Sequence, residues 1–326
     1  MKSIFSYCIL ILLFSFHYVV ANTAFDIIGN DTDGFITKMD LVNISQSSTS
    51  AAPADGSTTA TSSLEEVDYL LPKIDLRHWK VTLPLANKKG KPIEISPPEM
   101  EHFATIDVAK PYMYIDSLQG AIVFHAMPTN STTRNTKYSR SELREQMVPG
   151  ENNVNWTFAQ GGRMRGVLSV PEISVDANGK PHKVIVMQIH GRLTNEQRDL
   201  IGEDDNNAPP ILKIYWDKGR VRIKTKVVKD LNASYEELLH EKAWGDDEGY
   251  TIPLDVGHDK FSLEVIVSQG KMEIVFNDLY SIEYNSIHMQ KWGIFENYFK
   301  AGNYFQSRDE GAFARVNYYE LEVSHD

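Results

Sequence analysis

The sequence predicts an all-β protein built as a sandwich or jelly roll, and three observations carry that prediction. From about residue 70 onward, short runs of β-formers recur with alternating apolar and polar residues. Turn residues such as Asp217-Lys218-Gly219 and Gln269-Gly270 separate these runs at short spacing. Helical pattern is confined to short segments such as residues 234–242, so the β–α alternation of a parallel sheet is missing. The 326 residues allow one large β domain or two ordinary domains, and a hydrophobic content of 42 % supplies a sizeable core.

The chain opens with a different pattern. Lys2 precedes an almost wholly apolar run over residues 4–20, and Val19-Val20-Ala21 places small residues where a signal peptidase reads. Residues 1–21 are therefore expected to be a signal peptide, and the mature protein to be secreted and extracellular. A membrane anchor would need a run at least this long and no cleavage site after it. Cys8, the single cysteine, lies inside that segment, so the mature chain has no disulfide, cysteine nucleophile or cysteine-based zinc site. N-x-S/T sequons stand at Asn30, Asn43, Asn130, Asn155 and Asn232 and fit a secreted glycoprotein.

Residues 22–66 are expected to be a disordered spacer. Residues 45–63 are rich in Ser, Thr and Ala and have too little apolar content to bury. Within this stretch, residues 31–36 resemble part of a calcium-binding loop. The loop's first and last ligand positions hold Gly29 and Asp40, which argues for a simple turn.

Residues 67–326 form the expected domain. Residues 79–83 alternate as one strand, and residues 113–124 are rich in β-formers. Residues 213–216 and 221–227 flank one hairpin turn, and residues 263–267 and 272–276 flank another. Residues 313–323 alternate and close the sheet at the C-terminus.

Three further segments carry chemistry on one face of a strand. Residues 138–146 align Tyr138, Arg140, Glu142, Arg144 and Gln146. Residues 184–192 put Ile185, Met187 and Ile189 toward the core and Val184, Val186, Gln188, His190 and Arg192 on the opposite face. Residues 298–306 align Tyr298, Lys300, Gly302, Tyr304 and Gln306 against Phe299, Ala301 and Phe305. Each segment alone reads equally well as an ordinary exposed sheet face with ion pairs of little energetic value. Together, on one concave sheet, they would offer guanidinium, amide, imidazole, ammonium and phenol groups to a carboxylate-bearing sugar.

In that order, Arg140-Ser141-Glu142-Leu143-Arg144-Glu145, Gln188-Ile189-His190 and the run from Tyr298 to Gln306 resemble the three signature motifs of alginate lyases of polysaccharide lyase family seven. Residues 75–84 look like the usual start of that domain. The resemblance implies a jelly-roll β-sandwich with a concave substrate groove. It implies catalytic roles for Arg140, Gln188, His190 and Tyr304, and action on alginate by β-elimination. Ile189, between Gln188 and His190, is associated in the family with guluronate-containing blocks. Glu142, Arg144, Lys300 and Gln306 are then expected to bind flanking uronates, with Glu142 also orienting the two arginines.

The chemistry is consistent with that expectation. Removing the C5 proton of a uronate requires its carboxylate charge to be neutralised, which Arg140 and Gln188 would do. His190 would hold the carboxylate or take the proton; Tyr304 would protonate the leaving oxygen or serve as base too, with its phenol expected to be lowered by Lys300 or either arginine nearby. No cofactor is implied, and none of the ten His residues has zinc-ligand spacing.

The net charge of −11, or −12 once Lys2 is removed, speaks against nucleic acid as a partner. A polyanionic substrate then requires a locally positive groove and salt-sensitive affinity. No membrane association is expected after signal removal, and a monomer is expected. A glucan hydrolase would need two carboxylates across the bond, and the motif faces offer Glu142 alone. A lyase for another polyuronate such as glucuronan, or a carbohydrate-binding module without activity, would use the same groups.

Overall fold

The computed structural model describes residues 35–39 and 69–325 apart from 130 and 133–135. The signal segment, most of the spacer, Asn30, Asn43 and Asn130 lie outside the described residues. The strands in the first half are β1 (Phe35–Met39), β2 (Lys73–Ile74), β3 (Trp79–Ala86), β4 (Pro92–Ile95), β5 (Met113–Asp116) and β6 (Ala121–Ala126). They continue with β7 (Arg140–Glu145), β8 (Trp156–Thr157), β9 (Gly162–Ile173) and β10 (Lys183–Arg192). The second half adds β11 (Asn207–Asp217), β12 (Arg220–Val228), β13 (Trp244–Asp246), β14 (Tyr250–Asp255) and β15 (Phe261–Ser268). It ends with β16 (Lys271–Phe276), β17 (Tyr280–Tyr284), β18 (Glu296–Phe305) and β19 (Ala314–Ser324).

These strands form two sheets of a jelly-roll sandwich. One runs β1-β17-β16-β15-β9-β19-β6-β5, with β2 beside β19. The other runs β13-β12-β11-β10-β18-β7-β3-β4, with β14 on β12 and β8 on β18. Alternation explains the core between them. Val81, Leu143, Met187, Ile189, Phe299, Leu212, Ile214 and Ile223 from the second sheet meet Phe124, Met164, Leu168, Leu263, Ile274 and Tyr318 from the first. The predicted hairpins hold: Lys218-Gly219 turns β11 into β12 with both residues at positive φ, and Gln269-Gly270 joins β15 to β16. The helical stretch at 234–242 begins with Ser234 capping Tyr235–Leu239 through a reciprocal bond set with Glu237. Phe35–Met39, within the stretch expected as spacer, pairs antiparallel with β17 at the sheet edge.

Buried polar ties fasten the two sheets behind the motif strands. Asn303 Nδ2 donates to the carbonyls of Phe124 and Ala314, at 3.0 and 2.7 Å. Tyr318 Oη donates to the Val186 carbonyl at 2.6 Å. Glu145 is buried on the core side and accepts from Trp156 Nε1 and the Phe299 amide, at 3.0 and 2.9 Å. The near-terminal His325 places Nε2 at 2.6 Å from the same carboxylate. A buried carboxylate so bonded is held in place by its partners, since leaving it unpaired is costly.

Candidate active site

The three motif strands are neighbours, in the order β10-β18-β7. Pairing places Gln188 opposite Lys300, His190 opposite Tyr298, Lys300 opposite Arg144 and Tyr304 opposite Arg140. Arg140, Glu142, Arg144, Tyr298, Lys300 and Tyr304 thus share the face turned away from the core, while Gln146, just beyond β7, is fully buried. The approach of β18 to β7 is close at Gly302, where an added Cβ would meet the Ser141 carbonyl oxygen at 2.8 Å. Its φ of 131° also favours glycine.

One expectation for β10 is corrected by a β-bulge. Ile185 was expected in the core, with Val184 and Val186 beside Gln188. Register instead pairs Ile185 with Tyr304 and with Tyr215 on the open face, while Val184 and Val186 join the core. The register shifts between Ile185 and Met187, so two residues there oppose a different number on each neighbour. One unmatched residue reverses the face of everything before it. The Val186 carbonyl at this irregularity is the one that Tyr318 bonds.

Glu142 forms the centre of the charge network. It is 2 % exposed and accepts a 2.6 Å hydrogen bond from Gln188 Nε2. Lys300 Nζ makes an ion pair with its Oε2, and Arg140 Nε lies 3.7 Å from the same oxygen. Arg140 Nε itself has no hydrogen-bond partner. One buried anion thereby positions three groups that face the open side. Burial pushes Lys300 down to about 8, against the opposing pull of Glu142.

His190 and Tyr304 flank this network. The His190 ring stacks on Tyr298 with centroids 5.2 Å apart, and Nδ1 lies 2.9 Å from the Gly191 carbonyl oxygen. Burial, then the Lys300 charge, lowers the imidazole to about 3, so the ring is neutral at neutral pH. A carbonyl only accepts, which assigns the ring hydrogen to Nδ1 and leaves Nε2 as a lone pair. Tyr304 lies under Arg140, with the guanidinium carbon 5.8 Å from its ring, and Lys300 Nζ is 5.9 Å away. The phenol is not lowered by the nearby cations, contrary to the expectation from the sequence: burial raises it above its ordinary value, although Arg140 opposes this, so the hydroxyl keeps its proton at neutral pH.

Titration of His190 has a measurable consequence. A neutral ring with a folded-state value near 3 binds fewer protons than the unfolded chain between pH 6.5 and 3. Stability from this site is complete above pH 6.5 and is lost as pH falls toward 3. Denaturant titrations should therefore show a shallower acid-side decline in His190→Asn than in the original protein. Parallel declines would show that His190 does not titrate in this way.

The remaining expected residues have more local duties. Arg144 donates to the carbonyls of Glu145 and Asn152 and to Asn155 Oδ1, at 2.7 to 2.8 Å, and covers the Tyr298 ring at 4.1 Å. It fixes the groove wall with most of its donors occupied. Gln306 lies one residue beyond β18 and turns its Nε2 back onto the Tyr304 carbonyl at 3.0 Å. Lys80 on β3 and Asn155 were not anticipated. Lys80 sits opposite Arg144 and binds Glu94 at 2.8 Å. The alternation of residues 79–83 would have placed Lys80 on this face, but its register with β7 is a tertiary fact. Among the described residues, no group of three His, Cys, Asp or Glu stands where it could hold a metal.

The sequence model of the alginate lyase family matches residues 74–325. No curated protein is similar enough in sequence to count as a match. Among solved structures, family 7 alginate lyase A1-II′ in complex with product (GGG) is 30 % identical, with a TM-score of 0.60 over 78 % of this chain and 97 % of that one. A doubly substituted form of the same lyase with substrate (GGMG) is 29 % identical, with a TM-score of 0.60 over 78 % and 94 %. An alginate lyase from Corynebacterium sp. is 25 % identical, with a TM-score of 0.52 over 79 % and 100 %.

Proposed function

This chain belongs to the alginate lyase family, and from that premise we propose that it depolymerises alginate by β-elimination at the 4-O-glycosidic bond. The product carries an unsaturated uronate at its new non-reducing end. One observation carries the reading: a neutral imidazole with a free Nε2 lone pair and a protonated phenol flank a positive centre built from Arg140 and Lys300.

Each group has a step. Arg140 and the Gln188 amide meet the uronate carboxylate and stabilise the enolate-like charge that develops beside it. His190 Nε2 takes the C5 proton. Burial holds the imidazole down first and the Lys300 and Arg140 charges add to it; the incoming carboxylate offsets those charges and so favours proton uptake at His190. Tyr304 gives its proton to the glycosidic oxygen as the C4–O4 bond breaks. Mannuronate and guluronate present C5–H on opposite ring faces, so the epimer that would need Tyr304 as base is disfavoured by its raised phenol.

Acceptance of guluronate-containing blocks follows the Ile189 variant, and the GGMG and GGG ligands of A1-II′ support it. Secretion follows residues 1–21, and glycosylation follows the exposed Asn232. The Asn155 side chain is engaged by Arg144 and is a poor acceptor.

The test mixes purified protein with alginate, polyguluronate, polymannuronate and glucuronan and follows the ultraviolet absorbance of the unsaturated product. Rising absorbance on alginate is the expected result, and faster rise on polyguluronate supports the block preference. A rise on glucuronan alone would keep the chemistry and replace the substrate. Binding without any rise would leave a carbohydrate-binding module.

A further inference from the structure

Strand β18 changes neighbours partway along. Residues 300–304 pair with β7, whereas Glu296 and Asn297 pair with β8. Tyr298 and Phe299 fall between these two ladders. Tyr298 is the residue on which the His190 ring stacks, so the junction lies next to the proposed base. Buried backbone groups at such a junction need another partner.

The Glu145 side chain fills the junction from the core side. It leaves the last residue of β7 and is 3 % exposed. Its Oε2 accepts from the Phe299 amide at 2.9 Å and from Trp156 Nε1 on β8 at 3.0 Å. One carboxylate oxygen thus joins β7, β8 and β18. The other oxygen meets His325, which follows β19. His325 Nε2 lies 2.6 Å from Oε1, and Nδ1 lies 3.2 Å from the Gly161 carbonyl oxygen. A carbonyl only accepts, so Nδ1 carries a hydrogen and Nε2 shares a proton with the carboxylate. The imidazole packs against Trp156 and Phe299, with centroids 5.4 and 5.9 Å away. Phe299 points into the core, so this brace stands behind the sheet, opposite the face that carries Tyr298 and His190.

We propose that Glu145, braced by His325, is a positioning residue for the elimination. It acts through the Phe299 amide. Fixing that amide fixes Tyr298 and, through the stacked rings, the direction in which His190 Nε2 meets the C5 hydrogen. The proposal rests on the reading of the protein as a polyuronate lyase with His190 as base. Arg140, Gln188 and Lys300 converge on Glu142 instead, on the open face, so losing Glu145 disturbs proton transfer more than substrate binding. What Phe299 needs is an acceptor. Glu145→Gln keeps an oxygen for Phe299 and Trp156 and offers its amide hydrogens to the Nε2 of a neutral His325. Glu145→Ala removes the whole brace.

The experiment measures kcat and KM on alginate for the original protein, Glu145→Ala, Glu145→Gln and His325→Ala. Leu263→Ala, in the core on the first sheet, is the comparison for lost stability alone. Glu145→Ala should lower kcat about tenfold, within the cost of a misplaced catalytic group, with KM changed less than about twofold. Glu145→Gln should recover most of that loss, and His325→Ala should fall between the two. Leu263→Ala should melt at lower temperature and turn over like the original. An unchanged kcat in Glu145→Ala, a Glu145→Gln as slow as Glu145→Ala, or the same loss in Leu263→Ala overturns the role. If thermal melts show that Glu145→Ala does not fold, His325→Ala decides: a lower kcat at unchanged KM supports the role, and the original kcat overturns it. The lyase reading fails separately, by absence of cleavage in the original protein. Amide hydrogen exchange reads the brace without substrate: Phe299 should exchange faster in His325→Ala than in the original, and equal exchange overturns the brace.

Discussion

Tyr304→Phe should lower kcat on alginate by about 10²–10⁴-fold, the usual contribution of a positioned general acid, with KM changed only a few-fold. The phenol lies on the open face between Arg140 and Lys300 and edge-on to Tyr138, so removing one oxygen leaves the ring packing intact. What disappears is the proton for the leaving glycosidic oxygen. Its raised value matters here, because a phenol that keeps its proton at neutral pH is ready to donate and unready to accept. Initial rates with alginate, read beside a thermal melt, check this. A variant that keeps more than about a tenth of the original turnover, well above the range expected for a lost general acid, would remove Tyr304 from the proton-transfer step.

Glu142→Gln should be the most damaging single change to stability on this face. The carboxylate is buried, and Lys300, Gln188 and Arg140 all converge on it. Removing one partner of a buried ion pair costs about 3–5 kcal/mol. Lys300 titrates at about 8 in the intact site and can shed its proton when the anion is lost, which places the cost at the lower end. A loss of about 3 kcal/mol lowers the melting temperature by roughly 10 °C in a domain of this size. Turnover should also fall, because Lys300 and Arg140 lose the anion that positions them. A melting temperature within about 2 °C of the original, less than 1 kcal/mol on the same scale, would show that Glu142 is not the anchor of this network.

The legible part of this molecule was whatever repeats at a period of two. Alternation in residues 138–146 and 298–304 placed Arg140, Glu142, Arg144, Lys300 and Tyr304 on one face, and pairing brings them together. The hairpins at Lys218-Gly219 and Gln269-Gly270 were legible because turn chemistry is local. Alternation failed at Ile185, because a bulge is decided by the strands on either side and by the hydroxyl of Tyr318, remote in sequence. The role of Glu142 as a buried hub depends on Gln188, 46 positions away, and on Lys300. The alternating cations Arg222, Lys224 and Lys226 were visible as a hairpin strand. Their alignment with Gln188 is a matter of register, which sequence pattern alone does not specify.

The order β10-β18-β7 bears on how the protein is made. Arg140 comes from β7 and Gln188 and His190 from β10, yet these strands do not touch; β18, from residues 296–305, stands between them. Beneath them, the Glu145 carboxylate meets His325, 180 positions away in sequence. Residues 296–305 must therefore be made before the motif groups can meet, and such distant pairings are slow to form. A nascent chain that ends before β18 would carry the first two motifs without the strand that joins them. Chains arrested before residue 296 should show no cleavage, and any cleavage by them would mean that the face assembles without β18.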